Sequence, residues 1–186
     1  MGHIPAGPRP DIYYFKSETF ENMKKGSPLK TFLYFLKRQR VTGPVRFSFI
    51  DSEGSLLPGL SLKENISLDC VSANVSSAKN FTLEDYLDRN TNKDLVELYN
   101  SINLPDDKPN DVDSRTRKTA ALVKGLLQKS DYIFLEGPEK YLDEDTLKIF
   151  TRALIKGLSK NNQTLLLLSD QPKLWLPYVT KTVQED

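Results

Sequence analysis

Cysteine, histidine and tryptophan are nearly absent from this chain of 186 residues, which has one of each: Cys70, His3 and Trp175. A single cysteine excludes an internal disulfide, and with one histidine it leaves no Cys/His set for a structural zinc. No apolar run approaches the roughly 18 residues that a membrane span needs. The opening MGHIPAGPRP lacks the apolar core of a signal peptide, so the reading is a cytoplasmic protein. Charge of either sign is not in excess, with 26 Lys+Arg against 25 Asp+Glu, so net charge selects no polyanionic partner. The length suits one well-buried domain.

What is present alternates. Three prolines and two glycines make residues 1–10 a flexible arm, followed by a single domain over 11–186. DIYYF (11–15) reads as a strand. SPLKTFLYFLKRQ places Leu29, Phe32, Leu33 and Leu36 at helical spacing, with Pro28 at a first-turn position. VRFSFI (45–50) alternates as a strand does.

The stretch from about 65 to 112 is a small helical insertion, with short periodicity in TLEDYLDRN and NKDLVELYNSI. Thr82 and Asp85 there form a helix-start pair. Pro105, Pro109 and four aspartates make an exposed acidic loop. DSRTRKTAALVKGLLQKS then predicts a helix with Ala120, Val123, Leu126 and Leu127 on one face and basic residues elsewhere. A strand at 131–135, a helix at 143–160, a strand at 164–169 and a last strand near YVTKTV complete the chain. Uninterrupted apolar strands alternating with helices imply a mostly parallel α/β sheet covered on both faces.

This order resembles the ATP-binding-cassette (ABC) ATPases, a P-loop NTPase-like fold, over roughly residues 22–170. The carriers are YIFLEGP against the family's strand ending in Asp-Glu-Pro, Leu142-Asp143 against its D-loop, TLLLLSD against its switch strand, and SEGSLLPGLSLKENISL against the segment after its glutamine loop. KKGSPLKTFLYFL lies where the phosphate loop belongs and keeps Lys30-Thr31 ahead of an apolar helix.

The resemblance implies a residual phosphate site at Lys30 and Thr31 and a magnesium ligand at Glu136. It also implies losses. Lys24 and Leu29 stand where glycines would let backbone N–H groups wrap phosphates. Ser52, or Asp51 one residue off, replaces the magnesium-sensing glutamine. The signature motif becomes VDSRT, with Ser114 and Arg115 at its glycine positions. Gly137 replaces the acid that polarises the attacking water, Asp143 closes the D-loop, and Asp170 replaces the switch histidine. Tyr13 or Tyr14 would be the adenine stacker.

Phosphoryl transfer is mostly positioning and charge stabilisation, so these losses together imply a non-hydrolytic subunit or protein-interaction scaffold, such as one in an ABC-type transport complex, with no required cofactor. Its partner would be an ABC-type subunit or membrane component, or a second copy of the chain, and membrane association would come through that partner. One alternative is a weak ATP- and magnesium-binding ATPase using Lys30, Thr31 and Glu136. Another is an interaction module using the basic 24–46 surface. No acid falls between Glu21 and Asp51 there, and nucleic acid or anionic lipid would be the partner.

Overall fold

The computed structural model describes residues 10–15, 28–68 and 82–183, with the side chains of residues 28, 29 and 31 left aside. Cys70, the arm over residues 1–9, the stretch 16–27 that includes Lys24, and residues 69–81 of the expected insertion lie outside the described residues.

Five strands form one parallel sheet: β1 (Ile12–Phe15), β2 (Phe47–Ile50), β3 (Tyr132–Glu136), β4 (Thr164–Leu168) and β5 (Lys181–Val183), in the order β2-β3-β4-β1-β5. The three interior strands are buried on both faces, which is why they read as unbroken apolar runs. Side chains alternate between faces. Tyr13, Phe15, Phe134, Leu166 and Leu168 meet the first helix, α1 (Pro28–Arg38), through Phe32, Phe35 and Leu36. Ile12, Tyr14, Ile133, Leu135, Leu165 and Leu167 face the other described helices.

Those helices are α2 (Leu62–Ser67), α3 (Leu83–Asp88), α4 (Lys93–Asn100), α5 (Ser114–Leu127) and α6 (Glu144–Asn161), with a one-turn α7 (Pro172–Trp175) at the end. The starts of α2 to α6 are chemically marked. Ser61 with Glu64, and Thr82 with Asp85, form reciprocal capping boxes on α2 and α3. Asn92, Asp113 and Asp143 cap α4, α5 and α6 by accepting from the backbone three residues on. α6 ends at Asn162 in the left-handed conformation, φ 51°. Asp94 on α4 accepts from Arg152 Nε of α6 at 2.8 Å and pairs with Lys156, fixing α4 to α6.

LSLKENISL carries a helix, α2, for which no element was expected. One expectation changes. α5 is buried more widely than the face of Ala120, Val123, Leu126 and Leu127, and one of its basic residues, Lys118, leaves water with it. Thr116, Lys118, Thr119, Ala120 to Val123, Gly125 and Leu127 are all buried, because α5 lies between the sheet and the layer formed by α2 and α4. Gly125 is required by that closeness: a Cβ there would collide with Ile50 Cδ1.

Trp175 is core, 1% exposed, with its ring edge-on to fully buried Phe150 at 6.4 Å between centroids. Replacing Phe150 by Ala should cost about 3–5 kcal/mol of unfolding free energy. Urea denaturation would measure that cost, together with a red shift of Trp175 emission. A cost under ~1 kcal/mol would place Phe150 outside the cooperative core.

Candidate functional site

In a parallel sheet the loops leaving the carboxyl ends of the strands converge on one edge, where ligands bind in open α/β folds. Here that edge carries Asp51, Ser52 and Glu53 after β2, Glu136 to Asp143 after β3, and Ser169 and Asp170 after β4. The loop after β1 would contribute residues 16–27, outside the described set.

A cation already stands there. Lys118 is fully buried, and its Nζ donates to the carbonyl of Asp51 at 2.5 Å and toward that of Glu136 at 3.4 Å. It thereby ties the ends of β2 and β3 together. Burial lowers its pKa to about 8, against the opposing pull of the Asp51, Glu139, Glu136 and Glu53 carboxylates. The approach of α5 to the β2 loop needs Gly54, which has φ 68°; a Cβ there would come within 2.8 Å of Lys118 Cα.

The loop after β3 is fastened at three places. Gly137, at φ 48°, donates its N–H to the Leu168 carbonyl at 2.8 Å, and its own carbonyl accepts from Lys140 N at 3.1 Å. Glu139 is buried and accepts from Ser169 Oγ at 2.5 Å and Trp175 Nε1 at 3.1 Å. Tyr14 Oη donates to the Ser169 carbonyl at 2.7 Å, and burial first, then Glu139 and Asp170, push its pKa up. Glu53 pairs with Lys140 and accepts from Tyr141 Oη at 2.7 Å. These hydrogen bonds hold its carboxyl below the usual range.

The sequence-predicted positions fall into groups. Arg115 and Asp143 come together, with Arg115 Nη2 2.6 Å from Asp143 Oδ2 and donating to Thr146 Oγ1 at 2.9 Å. Asp143 is also the cap of α6, and the backbone N–H of Thr146 is the main cause of its lowered pKa. Ser114 is the first residue of α5, one position after its Asp113 cap. Ser52 and Gly137 are adjacent, since a Cβ on Gly137 would lie 3.5 Å from Ser52 Cβ.

Glu136 ends β3 and is half-buried. By alternation it points to the face of Tyr132 and Phe134, which is the face of α1. It does not cap the following turn, which is closed by backbone alone. Lys30 is exposed on the first turn of α1, and Asp170 is exposed. Tyr13 and Tyr14 are corrected: both are buried strand residues, Tyr13 edge-on to Phe35 at 4.8 Å, and neither is open to stack on a base.

Lys118, Glu139, Glu53 and Tyr141 are the site residues that spacing missed. The signal for Lys118 was its register, three and four residues before Ala121 and Leu122, in the apolar row of α5. A separate cavity of about 320 Å³ opens at the opposite, amino end of the strands, beside Asn92, Gln128, Ser130 and Gln163. Several of its polar groups are satisfied internally, as where Gln163 Nε2 donates to the Ser130 carbonyl at 2.9 Å.

No protein-family model and no curated protein sequence matches the chain. Solved structures do. A dimeric ATP-binding cassette in a post-hydrolysis state, bound to ADP and phosphate, superposes with TM-score 0.60 at 14% identity over 89% of this chain and 76% of that one. The ATP-binding subunit of an ABC transporter gives 0.64 at 14% identity over 94% and 74%. A putative metal-chelate type ABC transporter in an inward-facing conformation gives 0.57 at 17% over 94% and 68%. The fold is therefore the ABC ATPase-like, P-loop NTPase-like α/β fold.

Lys118 has a folded pKa below its unfolded one, so between about pH 8 and 10 the unfolded chain binds more protons and stability rises with pH. Unfolding free energy should increase by about 1–2 kcal/mol from pH 8 to 9.5. The Lys118→Met variant should lack that rise. Urea titrations at several pH values check this, and equal slopes in both proteins would remove Lys118 as its source.

Proposed function

We propose that this chain is a cassette-fold subunit that does not hydrolyse ATP and acts as a scaffold within an ABC-type assembly. The observation that carries the reading is the closed state of the described carboxyl edge, the loops after β2, β3 and β4. The ammonium of Lys118 is inserted between the ends of β2 and β3, and Glu53, Glu139, Arg115 and Asp143 are engaged by partners within the chain.

The residues do not fit a hydrolytic magnesium-nucleotide centre. Gly137 brings no oxygen to the position of the water-polarising acid. Asp170 puts a carboxylate where the γ-phosphate of a nucleotide would need a neutral or cationic partner. Arg115 carries a guanidinium side chain, held by Asp143, where a backbone glycine would approach a partner's nucleotide. Since positioning is nearly the whole of phosphoryl-transfer catalysis, such an edge supports assembly rather than turnover.

One observation favours a second reading, weak nucleotide binding. Glu136 faces the α1 side of the sheet, where Lys30 opens the helix, and its carboxylate has no hydrogen-bond partner among the described residues. A hard divalent cation would accept such an oxygen. The docking partner in either reading is another cassette subunit, a membrane component or a second copy, as the dimeric cassettes of the same fold suggest.

Titration calorimetry with Mg-ATP separates the two readings. The scaffold reading expects no saturable heat up to high micromolar nucleotide, identical traces for Lys30→Ala, and no phosphate release. Saturable heat that Lys30→Ala weakens tenfold or more would establish the second reading instead, and phosphate release would overturn the first outright.

A further inference from the structure

Residues 28–50 contain no carboxylate. The structure sorts their side chains sharply. Phe32, Phe35 and Leu36 of α1 are in the core, whereas Lys30, Leu33, Tyr34, Lys37 and Arg38 are exposed at spacings of three and four. They form a single stripe along the outward face of the helix. Leu33 is 54% and Tyr34 52% exposed, side by side on its crest. Lys30 precedes them by about one turn; Lys37 and Arg38 follow by one, the Arg38 guanidinium 5.9 Å from the centre of the Tyr34 ring. Exposed Arg40, at φ 52°, extends the cationic end past the helix. Lys30, Lys37 and Arg40 make no ion pair among the described residues.

The apolar surface continues beyond the helix. On the same side of the sheet, the outer strand β2 exposes Phe47 and Phe49, at 45% and 41%. The Phe47 ring is 4.8 Å from that of Phe32. Single exposed apolar residues are ordinary, but a set of four carried by the carboxylate-free stretch 28–50 is not.

The chemistry selects the partner. Cations alone would suit nucleic acid equally well, yet a phosphodiester backbone offers nothing to an exposed leucine. A membrane interface uses both features together. The ammonium and guanidinium groups sit among anionic headgroups while the adjacent apolar side chains enter the acyl boundary. The helix is preformed on the sheet, so docking carries no folding cost. We infer that the outward face of α1, with Lys30, Leu33, Tyr34, Lys37, Arg38 and Arg40, docks on an anionic lipid surface. This inference stands independently of whether the carboxyl edge binds nucleotide.

The test is co-sedimentation of the full chain with vesicles of phosphatidylcholine alone or with 30% phosphatidylserine, at 0.1 and 0.5 M salt, without nucleotide. A 20-nucleotide single-stranded RNA is titrated separately. Partitioning to the anionic vesicles only, weakened at the higher salt, is expected. Each cation is worth roughly fivefold in partition, so Lys37→Glu with Arg38→Glu should reduce it at least tenfold. Leu33→Ala with Tyr34→Ala should reduce it several-fold at unchanged charge. All four substitutions are on exposed positions, and circular dichroism confirms that the variants fold. Four results overturn the inference: equal partitioning to neutral vesicles, no partitioning at all, indifference to either double variant, or tight RNA binding with no vesicle binding.

Discussion

Placing a lysine ammonium where water cannot reach it costs several kcal/mol unless the surroundings replace its hydration. At Lys118 they do so with the carbonyl at the end of β2 and that at the end of β3, inside a ring of acidic side chains. Much of the carboxyl edge follows from that requirement. α5 must lie close enough to deliver the side chain, which demands Gly54 beneath it and Gly125 against Ile50. The loop after β2 must curl back to present its carbonyl, and Glu53 in that loop then meets Lys140 and Tyr141 from the loop after β3. Removing one partner of a buried charged group leaves the others uncompensated, so the edge stands or falls together.

A second, independent set of contacts secures the far side of the same edge. Tyr14, Ser169, Glu139 and Trp175 form a chain of hydrogen bonds linking β1, the end of β4, the loop after β3 and α7. With Arg115 on Asp143 at the start of α6, the edge is braced from within on both sides of Glu136. A cassette that cycles needs loops free to respond to bound phosphate. Here the described loops, those after β2, β3 and β4, are occupied by side chains of their own chain, which is the physical content of the scaffold reading.

Much of the fold was legible because its signals are local. Buried parallel strands leave unbroken apolar runs, and capped helices leave marks such as Thr82 with Asp85. The helix α2 escaped notice although Ser61 and Glu64 carry the same mark, because its six residues are too few to show a period. Strand order, with β1 between β4 and β5, is a long-range property that no window of sequence contains. Of the candidate site, the positions on strand ends were placed by order alone. Lys118 was not, because a lysine in a helix reads as solvated unless its neighbours in space are known. Tyr13 and Tyr14 failed as adenine stackers for the converse reason: at a strand with helices on both faces, an aromatic is core.

The central claim is that the carboxyl edge is held by the chain's own side chains and takes no nucleotide. Hydrogen–deuterium exchange of the amides from 51 to 55 and 136 to 143, with and without millimolar Mg-ATP, tests it most directly. The account predicts strong protection already in the free protein, at amides such as Gly137 N–H on the Leu168 carbonyl, and no change on adding nucleotide. Rapid exchange in the free protein that slows when Mg-ATP is added would contradict it.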